Sequence, residues 1–368
     1  MDSAMLAALV DRVQAARAAG RALEIRGGGT KRFYGQAPQG DVLDVRELRG
    51  ISSYEPSELV VTARCGTPLA ELEQALAERN QALPFEPPRF DDERGDGRSA
   101  STVGGMVAAG LAGPARAQSG GVRDYVLGAT LLNGRAEVLT FGGQVMKNVA
   151  GYDVSRVLAG SLGIFGVICE VSLKVLPVAP ATLTLRFELA QAAALQSLNT
   201  WAGQPLPLNA SSWHDGVLHL RLRGAVAAVD SARRLLGGSP VDADVAERHW
   251  ASVRDQRHAY FTDRRIGAGD AALWRVSVPS TAPPLALSAD PFIEWGGAQR
   301  WFVSAQPADE IRAAAQAARG HATRFRGGDR SAGVCTPLSP ALQAVHQRLK
   351  QAFDPDRVYN PGRLYPEL

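Results

Sequence analysis

The chain has 368 residues, 45% hydrophobic and 21% charged, a composition that excludes a disordered tail or a small stapled scaffold and leaves room for about two domain cores. Forty Lys and Arg against 37 Asp and Glu give a formal charge of +3 with both signs scattered, so the basic stripe of a nucleic-acid binder is absent. Cys65, Cys169 and Cys335 are odd in number and lack CxxC spacing, which argues against a disulfide framework, a zinc ribbon or an iron–sulfur cluster and fits a reducing cytoplasm.

The opening stretch repeats its apolar residues at helical spacing and predicts an amphipathic helix from about Leu6 to Ala19. It carries Asp2 and Asp11, has no basic n-region and does not read as a signal peptide; no window in the chain approaches the run of about 18 apolar residues that a membrane helix needs. A strand at Ala22–Arg26 then runs into Gly27-Gly28-Gly29-Thr30-Lys31, and another strand follows at Val42–Val45. A dinucleotide fingerprint needs its glycines to open a helix inside a βαβ unit, whereas this run joins strand to strand. Consecutive N–H groups with no side chain in the way suit an anion nest for a pyrophosphate; a plain glycine turn is the competing reading.

Leu59–Arg64 reads as a strand and Thr67–Arg79 as a helix with Thr67 as N-cap, Pro68 in the first turn and Glu71 as capping partner. Thr102-Val103-Gly104-Gly105-Met106 opens a small-residue helix ending near Gly110, a surface for an extended anionic cofactor or else a tight helix crossing. Asn133-Gly134 between Leu127–Leu132 and Ala136–Phe141 predicts a hairpin, since both turn residues tolerate positive φ. A third set of small residues, at 147–153 and 159–168, surrounds a helix near Asp153–Ala159 and leads into a strand at Val167–Val175.

The natural boundary is Leu176–Pro180, giving domains at 1–178 and 179–368, with the segment 353–368 packing back near the first. In the second, strands are predicted at Thr182–Glu188, Val217–Arg223, Trp274–Val278, Arg300–Ser304 and Thr323–Arg326. Helices are predicted at Gln191–Thr200, Val226–Leu236 and Ala308–Ala318. This alternation implies an α+β sandwich with helices on one face of an antiparallel sheet. The Arg cluster Arg254, Arg257, Arg264 and Arg265 reads as a solvated helix face.

Taken in order, RGGGTK, STVGGM, SGGVRD, KNVAGYD, GSLGIFGVI and the ending FDPDRVYNPGRL make the chain resemble the FAD-binding fold shared by vanillyl-alcohol oxidase and p-cresol methylhydroxylase. Within that fold it is most similar to the FAD-binding GlcE-type subunits of bacterial glycolate oxidase. The resemblance implies an α+β protein: a two-part FAD-binding domain and a smaller α+β sandwich cap domain. It implies that Gly27, Gly28, Gly29, Thr30 and Lys31 wrap the pyrophosphate. Thr102, Gly104, Gly105 and Ala108 would lie along the cofactor, with Gly120, Arg123 and Asp124 nearby. Gly163, Gly166, Val167 and Ile168 would approach the adenine and ribose side or line the channel, and Pro84 and Glu86 occupy the segment that commonly meets the flavin.

Some members of the superfamily attach FAD through a His or Cys in the glycine loops; these loops hold neither, so non-covalent FAD is expected. Related large subunits carry a paired-His metal site, but the six His here, at 214, 219, 249, 258, 321 and 346, include no HxH, and no metal is expected. Removing a hydride from a 2-hydroxy acid calls for an Arg on the carboxylate and a base near the hydroxyl. Arg324, Arg326 and His321 are the candidates, alternating exposed strand residues being the other reading, and no base is assigned.

The resemblance implies the FAD-binding subunit of a complex that oxidises glycolate to glyoxylate, together with a flavoprotein large subunit and an iron–sulfur subunit, the latter because this chain has no cluster-spaced cysteines. A cytoplasmic location follows, any contact with the inner membrane being made through partners. A flavin relay that never meets substrate, and a stand-alone NADPH-dependent flavin reductase, are the alternatives.

Overall fold

The structure, a computed structural model, describes residues 3–90, 100–143 and 153–368. Helix α1 (Ser3–Ala18) leads into β1 (Leu23–Arg26), which pairs in parallel with β2 (Asp41–Asp44). Parallel neighbours need a crossover, usually a helix. Here the chain from Gly27 to Gly40 makes it in turns, so the glycine run is left bare at the end of β1.

Next come β3 (Ile51–Glu55), β4 (Val60–Arg64), α2 (Leu69–Ala77) and β5 (Gln81–Ala82). Three short helices follow: α3 (Val103–Ala109), α4 (Arg116–Ser119) and α5 (Val122–Tyr125). Then come β6 (Val126–Asn133), β7 (Val138–Gly142), α6 (Val154–Val157), β8 (Gly166–Lys174) and β9 (Leu176–Pro177). Strands β3-β4-β8-β6-β7 form one antiparallel sheet. A bulge opposite Thr130 and Leu131 resets the alternation of β8, which sends Ile168, Val171 and Leu173 into a core with α2 and α3. Val167 and Cys169 enter a second core with α1, β1 and Tyr359.

Beyond Pro180 the chain enters β10 (Ala181–Glu188), α7 (Gln191–Ala202), β11 (Leu208–His214), β12 (Val217–Gly224), α8 (Val226–Leu236) and β13 (Ser239–Pro240). Helices α9 (Ala243–Arg254) and α10 (Arg264–Ala268) precede β14 (Ala272–Ser277), β15 (Pro291–Glu294) and β16 (Gln299–Ser304). The chain ends with α11 (Ala308–Ala317), β17 (His321–Arg326) and α12 (Pro340–Phe353). One antiparallel sheet results, in the order β13-β10-β12-β11-β15-β16-β14-β17.

Its outer face packs on α7, α8 and α11. Its inner face sets Leu273, Phe292, Trp301 and Phe325 against Phe90 and Leu111 of the first half. Helices are therefore not confined to one face: α9 and α10, absent from the sequence expectation, bring Val253 and Ile266 to the inner side. After α12 the chain returns to the first half, where Phe353, Leu364 and Leu368 join its core and Tyr359 bridges to Leu23.

Two local expectations are corrected. Thr67 does not cap α2: Pro68 holds the N-cap, and the Thr67 hydroxyl instead accepts from Gly50 N (2.9 Å) and donates to Gly50 O (3.2 Å). The β6–β7 hairpin forms, but its turn closes through Ala136 N to Asn133 O (3.1 Å) with Ala136 at φ 64°. Gly134 serves a close approach, since a Cβ there would stand 2.7 Å from the Asp354 Cα. The run at 147–153 lies, apart from Asp153, outside the described residues. Among the described residues no helix is long and apolar enough to cross a membrane.

Candidate functional site

The turn-built crossover after β1 leaves an open cleft of about 610 Å³, walled by Gly27–Lys31 on one side and by Thr102, Gly105 and Ala108 on the other. Gly28 presses on the backbone before Thr102, where any Cβ would overlap the Ala100 carbonyl. Gly29 takes φ +76°, a conformation glycine adopts without strain. Thr102 caps α3 by accepting from Gly105 N (3.3 Å), and Thr30 Oγ1 lies 3.0 Å from Ser101 Oγ.

Positive charge gathers at this cleft faster than it is neutralised. Lys31 Nζ donates to Ser101 Oγ (3.1 Å) and Thr30 Oγ1 (3.3 Å), and desolvation pulls its pKa down to about 8. Among the described residues no carboxylate pairs with it. Glu24 is buried, which raises its pKa, but Arg26 and Arg32 clasp it (2.8 and 3.0 Å) and carry the carboxyl below its ordinary value. Arg363 spends Nη2 on the Lys31 and Arg32 carbonyls (3.3 and 3.0 Å) while its Nη1 is buried without a partner among the described residues, and burial lowers it to about 10. A guanidinium nitrogen and a lysine that have no anionic partner among the described residues, beside a glycine nest, suit an anionic group.

The structure thus brings Gly27, Gly28, Gly29, Thr30, Lys31, Thr102, Gly105 and Ala108 to one cleft. Gly104 instead faces Cys65, and Gly120, Arg123 and Asp124 surround the α5 cap, where Asp124 accepts from Gly121 N (2.8 Å). Gly163 packs beneath the cleft against Asn360, while Gly166, Val167 and Ile168 are strand residues of β8. The Pro84 carbonyl accepts from Ser119 Oγ (2.8 Å). Glu86 takes Arg221 at 2.7 Å and Arg223 at 3.1 Å from the second sheet; burial raises its pKa, but the two arginines outweigh this and hold it low.

Sequence reasoning missed Asn360 and Arg363 as cleft residues, although it singled out their segment. Asn360 Oδ1 accepts from Ile25 N (3.0 Å) and its Nδ2 donates to Leu162 O (2.7 Å), clamping the cleft floor.

Of the three catalytic candidates on β17, only Arg326 faces the first half. A bulge opposite Leu273 and Trp274 turns both Phe325 and Arg326 inward. The Arg326 guanidinium lies over Phe33 (4.5 Å) and donates to Gln256 Oε1 (2.8 Å), while burial lowers it to about 10. Arg324 lies over Trp274 (4.9 Å) on the α11 side, and His321 is exposed at the strand's start. Two inner-face residues were not anticipated. Arg275 donates to Tyr34 Oη (2.9 Å) and has no carboxylate partner among the described residues. Glu294 is buried, which raises its pKa to about 7, and accepts from Trp301 Nε1 (2.6 Å) and Gln299 Nε2 (3.1 Å).

Four histidines that sequence spacing kept apart come together between α9 and the sheet. His219 stacks on His249 (4.1 Å between centroids), and His258 lies 6.1 Å from His249 and 6.0 Å from His214. Burial lowers His219 to about 4 and His249 to about 3. Among the described residues no group of three or more His, Cys, Asp or Glu is arranged to hold a metal ion.

The family of FAD binding domains matches residues 5–142. Over 361 residues the chain is 45% identical to the glycolate oxidase subunit GlcE of Escherichia coli (strain K12), covering 98% of this chain and 97% of that protein. A D-lactate dehydrogenase of Anaerostipes hadrus is 29% identical over 146 residues, 40% of this chain and 29% of the dehydrogenase. Among solved structures, an alkyldihydroxyacetonephosphate synthase superposes with a TM-score of 0.64 at 15% identity, over 96% of this chain and 75% of that one, a likeness of fold. The chain belongs to the GlcE family of glycolate oxidase subunits and carries a FAD-binding domain of the vanillyl-alcohol oxidase type.

Proposed function

We propose that this chain is the FAD-carrying subunit of a complex that oxidises a small 2-hydroxy acid, with glycolate as substrate and glyoxylate as product, and passes electrons to an iron–sulfur subunit beside a flavoprotein large subunit. The observation that carries the reading is the cationic cleft: among the described residues Lys31 has no carboxylate and Arg363 Nη1 no acceptor, both beside the Gly27–Gly29 nest. Gly27–Lys31 and Arg363 would hold the diphosphate, and Thr102, Gly105 and Ala108, which offer little side chain, would lie along the cofactor. Bound FAD supplies a two-electron acceptor. What the chain's own residues contribute is a fixed cationic cradle and a water-poor aromatic wall of Phe90, Phe325 and Trp301.

The flavin is held without a covalent bond: the glycine loops contain no His or Cys, and Cys65 and Cys169 are buried in the α1 core. Acid precipitation therefore leaves the yellow colour in the supernatant; colour retained on the denatured chain refutes this. The spacing of the six His, with no HxH pair, supports a second reading, a relay that never meets substrate. Anaerobic mixing of the flavin-loaded chain with glycolate separates the two. Bleaching near ~450 nm by the chain alone supports oxidation here, and bleaching only with partner subunits supports the relay.

A further inference from the structure

A second open cleft, of about 1380 Å³, lies on the inner face of the eight-stranded sheet and shares no lining residue with the cleft of Gly27–Lys31. Its floor is β10 and β12, through Thr182, Thr184, Arg221 and Arg223, and its near edge is Glu86 with Arg89. Its roof is one face of α9: Ala243, Ala246, Glu247, Trp250, Ala251 and Arg254 recur at the spacing that sets side chains on one side of a helix. Three of the six are alanines, which leaves the space open, and Arg254, read from sequence as part of a solvated face, becomes a wall.

What this cleft presents is hydrogen-bond donors. Glu86 is fully engaged: both its oxygens accept from Arg221 Nη2 (2.7 Å), Oε1 also from Arg223 Nη1 (3.1 Å) and Oε2 from Ala115 N (3.2 Å). Arg221 gives Nε to Asn209 Oδ1 (2.6 Å), Arg223 gives Nε to Thr182 Oγ1 (3.3 Å), and Arg254 gives Nε and Nη2 to Asp255 (both 2.8 Å). Among the described residues nothing accepts from Arg221 Nη1, Arg223 Nη2 or Arg254 Nη1, and a guanidinium has only donors to offer. The Thr182 hydroxyl accepts from Arg223 and the Thr184 hydroxyl from Trp250 Nε1 (2.9 Å), so each keeps its own hydrogen to give. The other carboxylate of the lining, Glu247, is exposed. Converging donors, with Trp250 and the alanines supplying apolar surface, suit an oxyanion carried on an apolar body.

We propose that this cleft is a second ligand site, for a small organic oxyanion, a carboxylate or a phosphate ester, gripped by Arg221, Arg223 and Arg254 with its apolar part against Trp250 and the α9 alanines. Arg221 and Arg223 already hold one carboxylate, that of Glu86, in the forked geometry a guanidinium offers. The ligand takes the amino groups that Glu86 leaves over. Glu86 and Arg89 belong to the first half of the chain and β10, β12 and α9 to the second, so an occupant touches both and braces the join between them. Occupancy therefore raises the melting temperature, since a ligand taken only by the folded chain stabilises it. The site goes beyond the flavin reading and does not depend on it, because none of its residues lines the glycine cleft.

The test is calorimetric titration and thermal melting of the full chain, flavin-loaded, with benzoate, phenyl phosphate and, as the uncharged control, benzyl alcohol. At least one anion binds about tenfold or more tightly than the alcohol and raises the melting temperature, the margin expected of charge-assisted hydrogen bonds. Which anion does so tells a carboxylate site from a phosphate site. Arg223→Gln cuts that margin about tenfold with flavin content unchanged; Arg221 keeps both Glu86 oxygens, so the halves stay joined. Ala243→Trp fills the cleft without altering a charge and weakens the anion about tenfold or more. Should Arg223→Gln fail to fold, the Ala243→Trp arm decides alone. Wild type that binds neither anion more tightly than the alcohol overturns the proposal. So does an anion preference that survives Arg223→Gln undiminished, or anion binding that Ala243→Trp leaves unchanged, since either puts the anion elsewhere.

Discussion

A lysine whose pKa has fallen to about 8 ties cofactor loading to pH. Desolvated by burial, Lys31 sheds its proton near that value, whereas a diphosphate beside it stabilises the ammonium and raises its pKa again. Loading then takes up a proton above pH of about 8, so FAD affinity falls as pH rises beyond that point, by up to about tenfold per unit. Lys31→Gln binds FAD more weakly and shows no such slope; flavin fluorescence titration between pH 7 and 10 checks both outcomes, and a wild-type affinity that stays level counts against the placement of the diphosphate. The neighbouring glycines make a sterically defined pair. Gly28→Ala must displace the Ala100 carbonyl and loses flavin, whereas Gly267→Ala, in open space on α10, keeps it. Absorbance per mole of purified chain reads the difference. The glycine run was legible in sequence because strand-to-strand glycines have a chemical use; Arg363 was not, because an unmet hydrogen bond exists only once the fold has buried it.

Helix α12 shows how one element builds part of the cleft from a distance. Its last turn buries Lys350, whose Nζ donates to Ile164 O (2.7 Å), Asp354 Oδ2 (2.8 Å) and Tyr359 O (2.9 Å). Asp354 in turn accepts from Val358 N (2.9 Å) and Tyr359 N (2.8 Å), which fixes the strand-like passage that delivers Asn360 and Arg363. Removing one partner of a buried ion pair strands the other. Lys350→Met should cost about 3–5 kcal/mol and weaken FAD binding as well, since the cleft floor loses its anchor. Urea unfolding and flavin titration measure the two effects; unchanged affinity in a folded variant would show that the floor holds itself. The strongly patterned elements, α8 and β10 among them, were readable within a residue or so. Helix α12 was not, because Lys350 is its only buried residue, and β15 escaped because four residues give too short an alternation to register.

At the scale of the whole molecule, the site depends on how the two sheets are joined, and that join is made of polar contacts between residues far apart in sequence. Trp295 Nε1 donates to Gly113 O (3.0 Å), and Arg330 reaches the Phe33 and Gly35 carbonyls (2.8 and 3.1 Å). The strongest tie is Glu86, set at φ +48° beyond β5, with Arg221 and Arg223 of β12. No periodicity announces such a contact, since its partners lie 135 and 137 positions away. Sequence reasoning set Glu86 in a segment that meets the flavin, whereas its contacts in the fold are with Arg221 and Arg223 of the second sheet. Arg221 is only 4% exposed, so Glu86→Gln leaves a buried guanidinium uncompensated and should cost about 3–5 kcal/mol. Pairing it with Arg221→Met should recover part of that loss, because the orphaned charge goes with its partner. The pH dependence gives an independent reading. A carboxyl held below its ordinary value in the folded chain stabilises above the unfolded value and loses that contribution as pH falls through the folded one. Wild type should therefore lose the tie on acidification below pH of about 4.5, whereas Glu86→Gln, already without it, should show a shallower decline. Thermal melts of wild type, single and double variants across that range decide the matter, and parallel curves for wild type and Glu86→Gln would show that the halves are held together elsewhere.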